Sequence, residues 1–272
     1  MLSALYAALF GILEGVTEWL PISSTGHLIL LENFINFPTR AAFFALFEVV
    51  IQLAAIGAVL LLYFQALNPF TKSKSHAERH DTWHLWGLVA LATLPSAVIG
   101  FFLDDFLEKH LFNPTVVACA LILYGLAFVL LEKRRKLTPL AEQITKKAAL
   151  GAGFFQVLAL IPGTSRSGAT MLGGTLLGLP RERAAEFSFF LAIPTMLGAS
   201  VLKSAKFFLE GNTLSCEETG MLATGALAAF LVSLVTIRFL LNFVKRHGFF
   251  GFGIYRILLG IAVLFTLIPA KG

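Results

Sequence analysis

Residues 14–27 read EGVTEWLPISSTGH, and this stretch decides how the chain folds. It places two carboxylates, a proline, three consecutive hydroxyl side chains, a glycine and a histidine between two apolar segments, 3–20 and 27–37. Pro21 ends the first helix, and the hydroxyls that follow can cap a second one. Both segments are short or interrupted for a bilayer crossing, which needs roughly 17–25 apolar residues. The pattern predicts a helix-turn-helix that enters and leaves the same side of a membrane.

A second stretch, residues 156–170, reads QVLALIPGTSRSGAT and follows the same plan between the short apolar segments 148–161 and 169–179. A shift of 141 residues superimposes four pairs: Pro21 on Pro162, Ser24 on Ser165, Arg40 on Arg181, and Gly57 on Gly198. The chain therefore reads as two related halves.

The composition excludes a water-soluble protein. Hydrophobic residues make up 57% of the 272 residues and charged residues only 14%, against roughly 45–50% and 25% in soluble domains. Six further apolar segments are long enough to span a bilayer: 41–64, 86–103, 114–131, 185–206, 220–244 and 249–268. Three of these crossings separate the two hairpins, and an odd number places the second half upside down relative to the first.

We therefore predict an all-α polytopic membrane protein with six full transmembrane helices and two re-entrant helix-turn-helix hairpins. It forms one integral membrane domain of residues 1–272, built as an inverted-topology repeat of about 1–131 and about 142–272. Irregular backbone at membrane depth is tolerated only where it is buried in protein or lines a cavity. The two turns should therefore face one shared interior site.

Lys and Arg cluster on one set of loops, which the positive-inside bias assigns to the cytoplasm. That set carries Lys72, Lys74, Arg79, Lys133, Arg134, Arg135, Lys136, Lys146, Lys147, Arg181, Arg183, Lys245 and Arg246. The opposite loops carry only Arg40, Lys109, Lys203, Lys206 and Lys271. Both termini are then expected outside. Topology accounts for the net charge of +5, so nucleic acid is not expected as a partner.

The first hairpin is acidic. Glu14 and Glu18 lie one helical turn apart on one face, where two carboxylates in apolar surroundings repel each other and lose solvation. An ionisable residue at the centre of a membrane helix costs roughly 2.5–3.5 kcal/mol. A divalent cation, a basic partner or a bound proton would offset this cost.

Hydroxyls and an imidazole follow in the same turn. Ser23, Ser24 and Thr25 exceed what a single helix cap needs, and Gly26 and His27 follow directly. A hydroxyl beside an imidazole supplies a nucleophile or water-positioning group with a general base, as acyl or phosphoryl chemistry requires.

The second hairpin is basic and suits an anion. Glycines allow close approach of the backbone, and the start of the following helix carries partial positive charge. Arg166 adds a planar fork that pairs two oxygens of a phosphate. Its alternative role is a salt bridge to Glu14 or Glu18, and a phosphate and a metal between the hairpins are compatible with both.

The strings EGVTEWLPISSTGH and PGTSRSGAT closely resemble the bacterial undecaprenyl-diphosphate phosphatase family, also known as bacitracin-resistance proteins. FEVVIQL at 47–53, EFSFFLAIP at 186–194 and IYR at 254–256 extend the resemblance over nearly the whole chain. It implies hydrolysis of undecaprenyl diphosphate to undecaprenyl phosphate and inorganic phosphate. This reaction recycles the lipid carrier for peptidoglycan synthesis and confers bacitracin resistance. The resemblance also implies a divalent cation, Mg²⁺ or Ca²⁺, and a plasma-membrane site open to the outer, periplasmic face.

Carried over by position, the resemblance implies the following site. The catalytic set is Glu14, Glu18, Ser24, His27 and Arg166, with Glu14 and Glu18 also as metal ligands. The substrate-binding set is Ser23, Thr25, Gly26, Ser165, Ser167, Gly168 and Thr170. The attacking group stays open between Ser24, His27 and a metal-bound water, and we favour Ser24 assisted by His27 or Glu18.

Two further points stay open. Paired broken helices in an inverted repeat also occur in transporters, which compete with the hydrolase as a function class. The oligomeric state is not fixed by the sequence, a homodimer included. Membrane lipid surrounds the chain in either case. Secondary candidates on the crossings are Glu48, Gln52, Glu186, Ser188, Arg238 and Arg256.

Overall fold

The computed structural model describes residues 2–35, 37, 39–133 and 143–267, and these residues form eleven helices with no strand among them. In chain order they are α1 (Leu2–Thr17), α2 (Ser24–Phe34), α3 (Ala41–Leu62), α4 (Phe64–Leu67), α5 (His76–Leu111), α6 (Pro114–Lys133), α7 (Lys146–Leu158), α8 (Arg166–Leu176), α9 (Arg181–Leu209), α10 (Cys216–His247) and α11 (Phe250–Leu267). Within this part of the chain, six helices are long and apolar enough to cross a membrane, namely α3, α5, α6, α9, α10 and α11. The prediction of an all-helical multi-pass membrane protein with six crossings is confirmed.

Two helix bounds differ from the sequence prediction in a way that matters for the site. The short helices after the turns begin at Ser24 and Arg166, three residues before the predicted apolar segments. His27 and Arg166 therefore lie on helices rather than in turns. Both helices start early because a serine caps each of them: Ser23 accepts from Gly26 N, and Ser165 accepts from Gly168 N.

The long helix α5 begins ten residues before the predicted crossing at 86–103. The Ser75 side chain accepts a hydrogen bond from Glu78 N, and the Glu78 carboxylate accepts one from Ser75 N. Such a capping box satisfies two backbone donors at once and starts the helix within a polar segment. Apolar content locates the membrane-crossing part of this helix but not its ends.

Helices from the first part of the chain pack against helices from the second part, and equivalent contacts occur in both directions. Helix α1 packs on α10 as α7 packs on α5, helix α3 packs on α10 as α9 packs on α5, and α3 and α6 pack on α9 and α11. At the α6–α11 contact, a Cβ on Gly125 would lie 2.7 Å from Gly253 O, and one on Gly253 would lie 2.8 Å from Gly125 O. Small residues permit this close approach of backbones.

Polar contacts join the loops that the charge pattern assigns to a common face. On the face that is predicted to lie outside, Ser3 contacts Glu217 and Arg40 contacts Glu218. On the predicted cytoplasmic face, Arg181 contacts Glu132 and Lys245 contacts Glu182. The residues Arg134, Arg135, Lys136 and Lys271, which also entered that charge count, lie outside the described residues. The identity of the cytoplasmic face, the re-entrant insertion and the inversion of the repeat stay predictions.

Candidate active site

The two polar turns meet through an ion pair. The Arg166 Nη2 atom lies 2.8 Å from Glu18 Oε1, and the exposed fractions of the two side chains are only 12% and 8%. The alternative role that the sequence left for Arg166 is therefore present, and it links the two hairpins. A buried charge that is paired in this way avoids most of the penalty of an isolated one.

Helix α9 holds the other side of Arg166. Its Nη1 atom donates to Ser188 O at 2.7 Å and to Ser188 Oγ at 3.3 Å. The guanidinium also lies over the Trp19 ring, 5.9 Å from its centroid. The secondary candidate Ser188 thus fixes the direction of the arginine.

Ser24 is bonded to a carboxylate rather than to the imidazole. Its Oγ donates to Glu18 Oε2 at 3.0 Å. His27 is engaged elsewhere, with Nδ1 2.7 Å from Ser23 O and Nε2 2.7 Å from Tyr255 Oη. Of the two expected assistants of Ser24, the structure places Glu18 in contact and directs His27 towards helix α11.

Glu14 is fully buried, and neither of its oxygens has a hydrogen-bond partner among the described residues. Helix α7 of the second hairpin carries Gln156, one residue after the position that the 141-residue shift pairs with Glu14. Gln156 is also buried, and its amide donates to Ser96 Oγ at 2.7 Å and to Thr195 Oγ1 at 3.2 Å. The Gln156 amide nitrogen thus has two hydroxyl partners, whereas neither oxygen of the Glu14 carboxylate has one among the described residues. An unpaired buried carboxylate calls for a proton or a cation.

The carboxylates fit a hard divalent cation as a partial ligand set. Mg²⁺ and Ca²⁺ take oxygen ligands, and Mg²⁺ is commonly held by one or two carboxylates together with water and substrate phosphates. Both oxygens of Glu14 are free to bind, whereas those of Glu18 already accept from Arg166 and Ser24. Within the described ranges, no group of three or more His, Cys, Asp or Glu residues forms a closed metal site. Of the two carboxylates, that of Glu14 has the oxygens that would fit a cation, and Glu18 would be a second ligand.

The two turns share an unusual backbone geometry. Ser23 and Ser165 have φ angles of 75° and 71°, which are uncommon for residues other than glycine. Such a conformation costs about 1–3 kcal/mol and persists only where the surroundings hold it. The caps pair Ser23 with Ser165, so the 141-residue shift that placed Ser24 on Ser165 is off by one residue at this point, because the second turn is one residue longer.

The remaining predicted binding residues of the second hairpin hold the turns together. Ser167 Oγ lies 2.9 Å from Glu18 O and 3.2 Å from Leu20 O, both on the first turn. Thr170 Oγ1 lies 2.7 Å from Ser188 Oγ and 2.9 Å from Arg166 O. Both hydroxyls are buried and position Glu18 and Arg166.

Thr25 and Gly26 lie at the start of α2. Thr25 is partly buried, like Ser24 and His27. Gly26 is buried, and a Cβ there would lie 3.1 Å from Leu121 Cδ1. Glycine at position 26 therefore lets the start of α2 lie close to Leu121 of α6.

Arg256 is a residue whose importance the sequence reasoning missed. The sequence ranks Arg256 only among the secondary candidates on the crossings, yet this side chain is fully buried. Its guanidinium donates to Pro21 O at 3.2 Å, and to Gly163 O and Thr164 O at 2.9 Å each. One arginine thus ties both turns together. The only signal was a charge within the apolar segment 249–268.

Together these contacts create a site with separated charges. The N-termini of α2 and α8, Arg166 and Arg256 supply positive potential, and Glu14 and Glu18 supply carboxylates. Such an arrangement suits an anion next to a nucleophile and a base.

A family model described as bacitracin resistance protein BacA matches residues 7–262. The chain belongs to the BacA family. The matched range contains every site residue described above.

Relatives within this family are similar over nearly their whole length. An undecaprenyl-diphosphatase from Enterococcus faecalis is 53% identical over 262 residues, which cover 95% of each chain. A protein of the same name from Streptococcus thermophilus is 52% identical over 270 residues, 97% of this chain and 93% of its own. A third, from Lactiplantibacillus plantarum, is 49% identical over 274 residues, 98% of this chain and all of its own.

Proposed function

We propose that this protein hydrolyses undecaprenyl diphosphate to undecaprenyl phosphate and inorganic phosphate. The observation that carries this proposal is the Ser24–Glu18–Arg166 chain of contacts, which joins a hydroxyl, a base and a phosphate-binding fork within two hydrogen bonds. The relatives named undecaprenyl-diphosphatase supply the substrate. The product is the lipid carrier that peptidoglycan synthesis reuses, so its release also accounts for resistance to bacitracin.

The reaction begins with Ser24. Its Oγ attacks the terminal phosphorus while its proton passes to Glu18 Oε2, the atom that already accepts from it. The bond from that phosphorus to the bridging oxygen breaks, and undecaprenyl phosphate leaves with that oxygen. Water then attacks the phosphoserine, the bond from phosphorus to Ser24 Oγ breaks, and Glu18 returns its proton to Oγ. Phosphate is released, and the proton that water loses passes to solvent. Phosphoryl transfer depends mainly on placement and on neutralising charge, which suits these residues.

Arg166 and the start of α8 bind the diphosphate. Arg166 leaves Glu18 in part and turns its fork to two phosphate oxygens, and Ser188 keeps the guanidinium in the same direction. The N-terminus of α8, capped by Ser165, adds partial positive charge.

A divalent cation, Mg²⁺ or Ca²⁺, completes the proposal. Glu14 would hold it, with Glu18 as a second ligand, and the cation would neutralise charge on the phosphate oxygens. The unpartnered carboxylate of Glu14 supports this assignment.

We propose a plasma-membrane location with both termini outside and the site open to the outer, periplasmic face. The Lys and Arg distribution supports this orientation, and the exchanged packing of the two halves supports an inverted repeat with two re-entrant hairpins. A homodimer is compatible with the function but is not needed for the site, since every group named comes from one chain.

The test is phosphate release from undecaprenyl diphosphate by purified protein in detergent, with and without a chelator. Arg166→Ala and Glu18→Ala should lose release while the protein stays folded. The matched control is Arg183→Ala, which breaks a surface pair with Glu186 at 3.0 Å and should keep release. Wild-type protein that releases no phosphate from any lipid diphosphate with any cation would favour the transporter instead.

A further inference from the structure

Helix α11 presents a tyrosine to the histidine of the first hairpin. Tyr255 Oη lies 2.7 Å from His27 Nε2, and the two rings are nearly parallel, with an interplanar angle of 7° and centroids 5.6 Å apart. The residues are 228 positions apart in the sequence. The attack by Ser24 does not involve this contact between Tyr255 and His27.

The hydrogen bonds fix the position of the proton on His27. Its Nδ1 lies 2.7 Å from Ser23 O, and a carbonyl oxygen can only accept, so Nδ1 carries hydrogen. In the neutral ring, Nε2 is then the only atom able to take up a proton. The hydroxyl of Tyr255 donates to that atom and covers it.

His27 therefore cannot act directly as the base for Ser24, whose hydroxyl donates to Glu18. A proton can reach Nε2 only through the oxygen of Tyr255. Tyr255 is 43% exposed, whereas Glu18 is 7% exposed. The relay needs water to reach the Tyr255 hydroxyl from this exposed side of the residue.

We propose that Tyr255 is a further catalytic residue that relays a proton from the attacking water to His27 during hydrolysis of the phosphoserine. The proposal rests on the proposed function. Water forms the new bond to phosphorus and gives its proton to Tyr255 Oη, while Tyr255 gives its own proton to His27 Nε2. The bond from phosphorus to Ser24 Oγ breaks, and Glu18 returns to Oγ the proton that it took in the first step. His27 then releases its proton through Tyr255 to solvent water. Tyr255 is unchanged at the end.

The proposal separates the two half-reactions. Glu18 serves the attack by Ser24, and the Tyr255–His27 pair serves the attack by water. Loss of the Tyr255 hydroxyl should therefore slow phosphate release more than formation of the phosphoserine. The phosphorylated protein should accumulate.

The kinetic experiment compares Tyr255→Phe, His27→Gln and the double variant, with substrate labelled in its terminal phosphate. We expect Tyr255→Phe to slow phosphate release about 100-fold or more, since an acid–base group contributes about 10²–10⁴, with labelled protein above the wild-type level. The double variant should be no slower than His27→Gln alone, because groups that act as a unit are not additive. Tyr6→Phe is the matched control, since Tyr6 contacts Phe37 by ring packing and should keep wild-type kinetics. Wild-type release by Tyr255→Phe, or multiplicative losses in the double variant without labelled protein, would overturn the relay.

A chemical measurement tests the contact without any turnover. Diethyl pyrocarbonate acylates an unprotonated ring nitrogen, and mass spectrometry of peptides gives the rate for each histidine. Tyr255→Phe should raise the rate at His27 several-fold, a change of the size that one hydrogen bond gives, while the exposed His76 and His80 keep theirs. An unchanged rate at His27 would show that the hydroxyl does not cover Nε2, whatever the outcome for the proposed hydrolysis.

Discussion

Glu18 and Arg166 are 148 residues apart in the chain and lie 2.8 Å apart in the fold. One comes from the turn after α1 and the other from the first residue of α8. Their contact joins the acidic and the basic hairpin. Each of the two side chains would be an isolated buried charge without the other, so assembly of the two halves and assembly of the site are the same event.

The stability of this pair can be separated from its chemistry. Glu18→Leu or Arg166→Leu alone leaves a buried charge unpaired, which costs about 3–5 kcal/mol. The double variant removes both charges and should recover most of that loss, yet it should release no phosphate. Thermal unfolding in detergent and the phosphate assay measure the two quantities. A double variant less stable than both single variants would contradict a direct pairing.

Ser24 should be the residue that carries the phosphoryl group. Ser24→Ala should lower kcat by about 100-fold or more, as loss of a nucleophile or its base does, and should abolish acid-stable label on the protein. Ser23→Ala is the comparison, because the Ser23 hydroxyl caps α2 and its loss should lower stability more than it removes label. Acid-stable label retained in Ser24→Ala would transfer the attack to another hydroxyl, since attack by water leaves no label and phosphohistidine is labile in acid.

Glu14→Gln should move activity and stability in opposite directions. The wild-type carboxylate is buried without a hydrogen-bond partner among the described residues, so a neutral amide should keep or raise the unfolding temperature. The same change should raise the cation concentration for half-maximal activity about tenfold or more, since a ligand is lost. Glu182→Gln, at a surface pair with Lys245, should change neither value. A Glu14→Gln protein with wild-type cation dependence would remove Glu14 from the metal set.

Arg256 should matter for both stability and activity. Arg256→Leu leaves the carbonyls of Pro21, Gly163 and Thr164 buried without this donor, and each unsatisfied group costs about 1–3 kcal/mol. Arg256→Lys keeps the charge but not the fork, so it should keep part of the stability. Thermal unfolding and phosphate release would be measured together. An Arg256→Leu protein as stable as the wild type would show that the two turns stay together without the hydrogen bonds of Arg256.

The sequence predicted the architecture well for a physical reason. Apolar segments of bilayer length leave few alternatives to helices in lipid, so the six crossings and the paired short helices followed from hydropathy. Charges in apolar segments are expensive, which made Glu14, Glu18 and Arg166 stand out. The capping serines then set the start of α2 and α8 three residues earlier than apolar content alone suggested.

The sequence could not choose partners across the fold. The sequence left both His27 and Glu18 as partners for Ser24. In the structure the Ser24 hydroxyl donates to Glu18, and the His27 imidazole is hydrogen bonded to Tyr255. The sequence left Arg256 undecided between the interface and the site, and that side chain proves to be buried between the two turns.

The sequence by itself determined the fold class, the two hairpins and the residue types that carry the chemistry, because helix length, hydropathy and capping are local properties. The tertiary structure alone decided which donor meets which acceptor, including Arg166 with Glu18, His27 with Tyr255, and Arg256 with both turns. These contacts join residues that are distant in the chain, and their geometry depends on how α9 and α11 pack around the two hairpins. Spacing along a helix specifies a face, whereas a hydrogen bond requires a position to within a few tenths of an ångström.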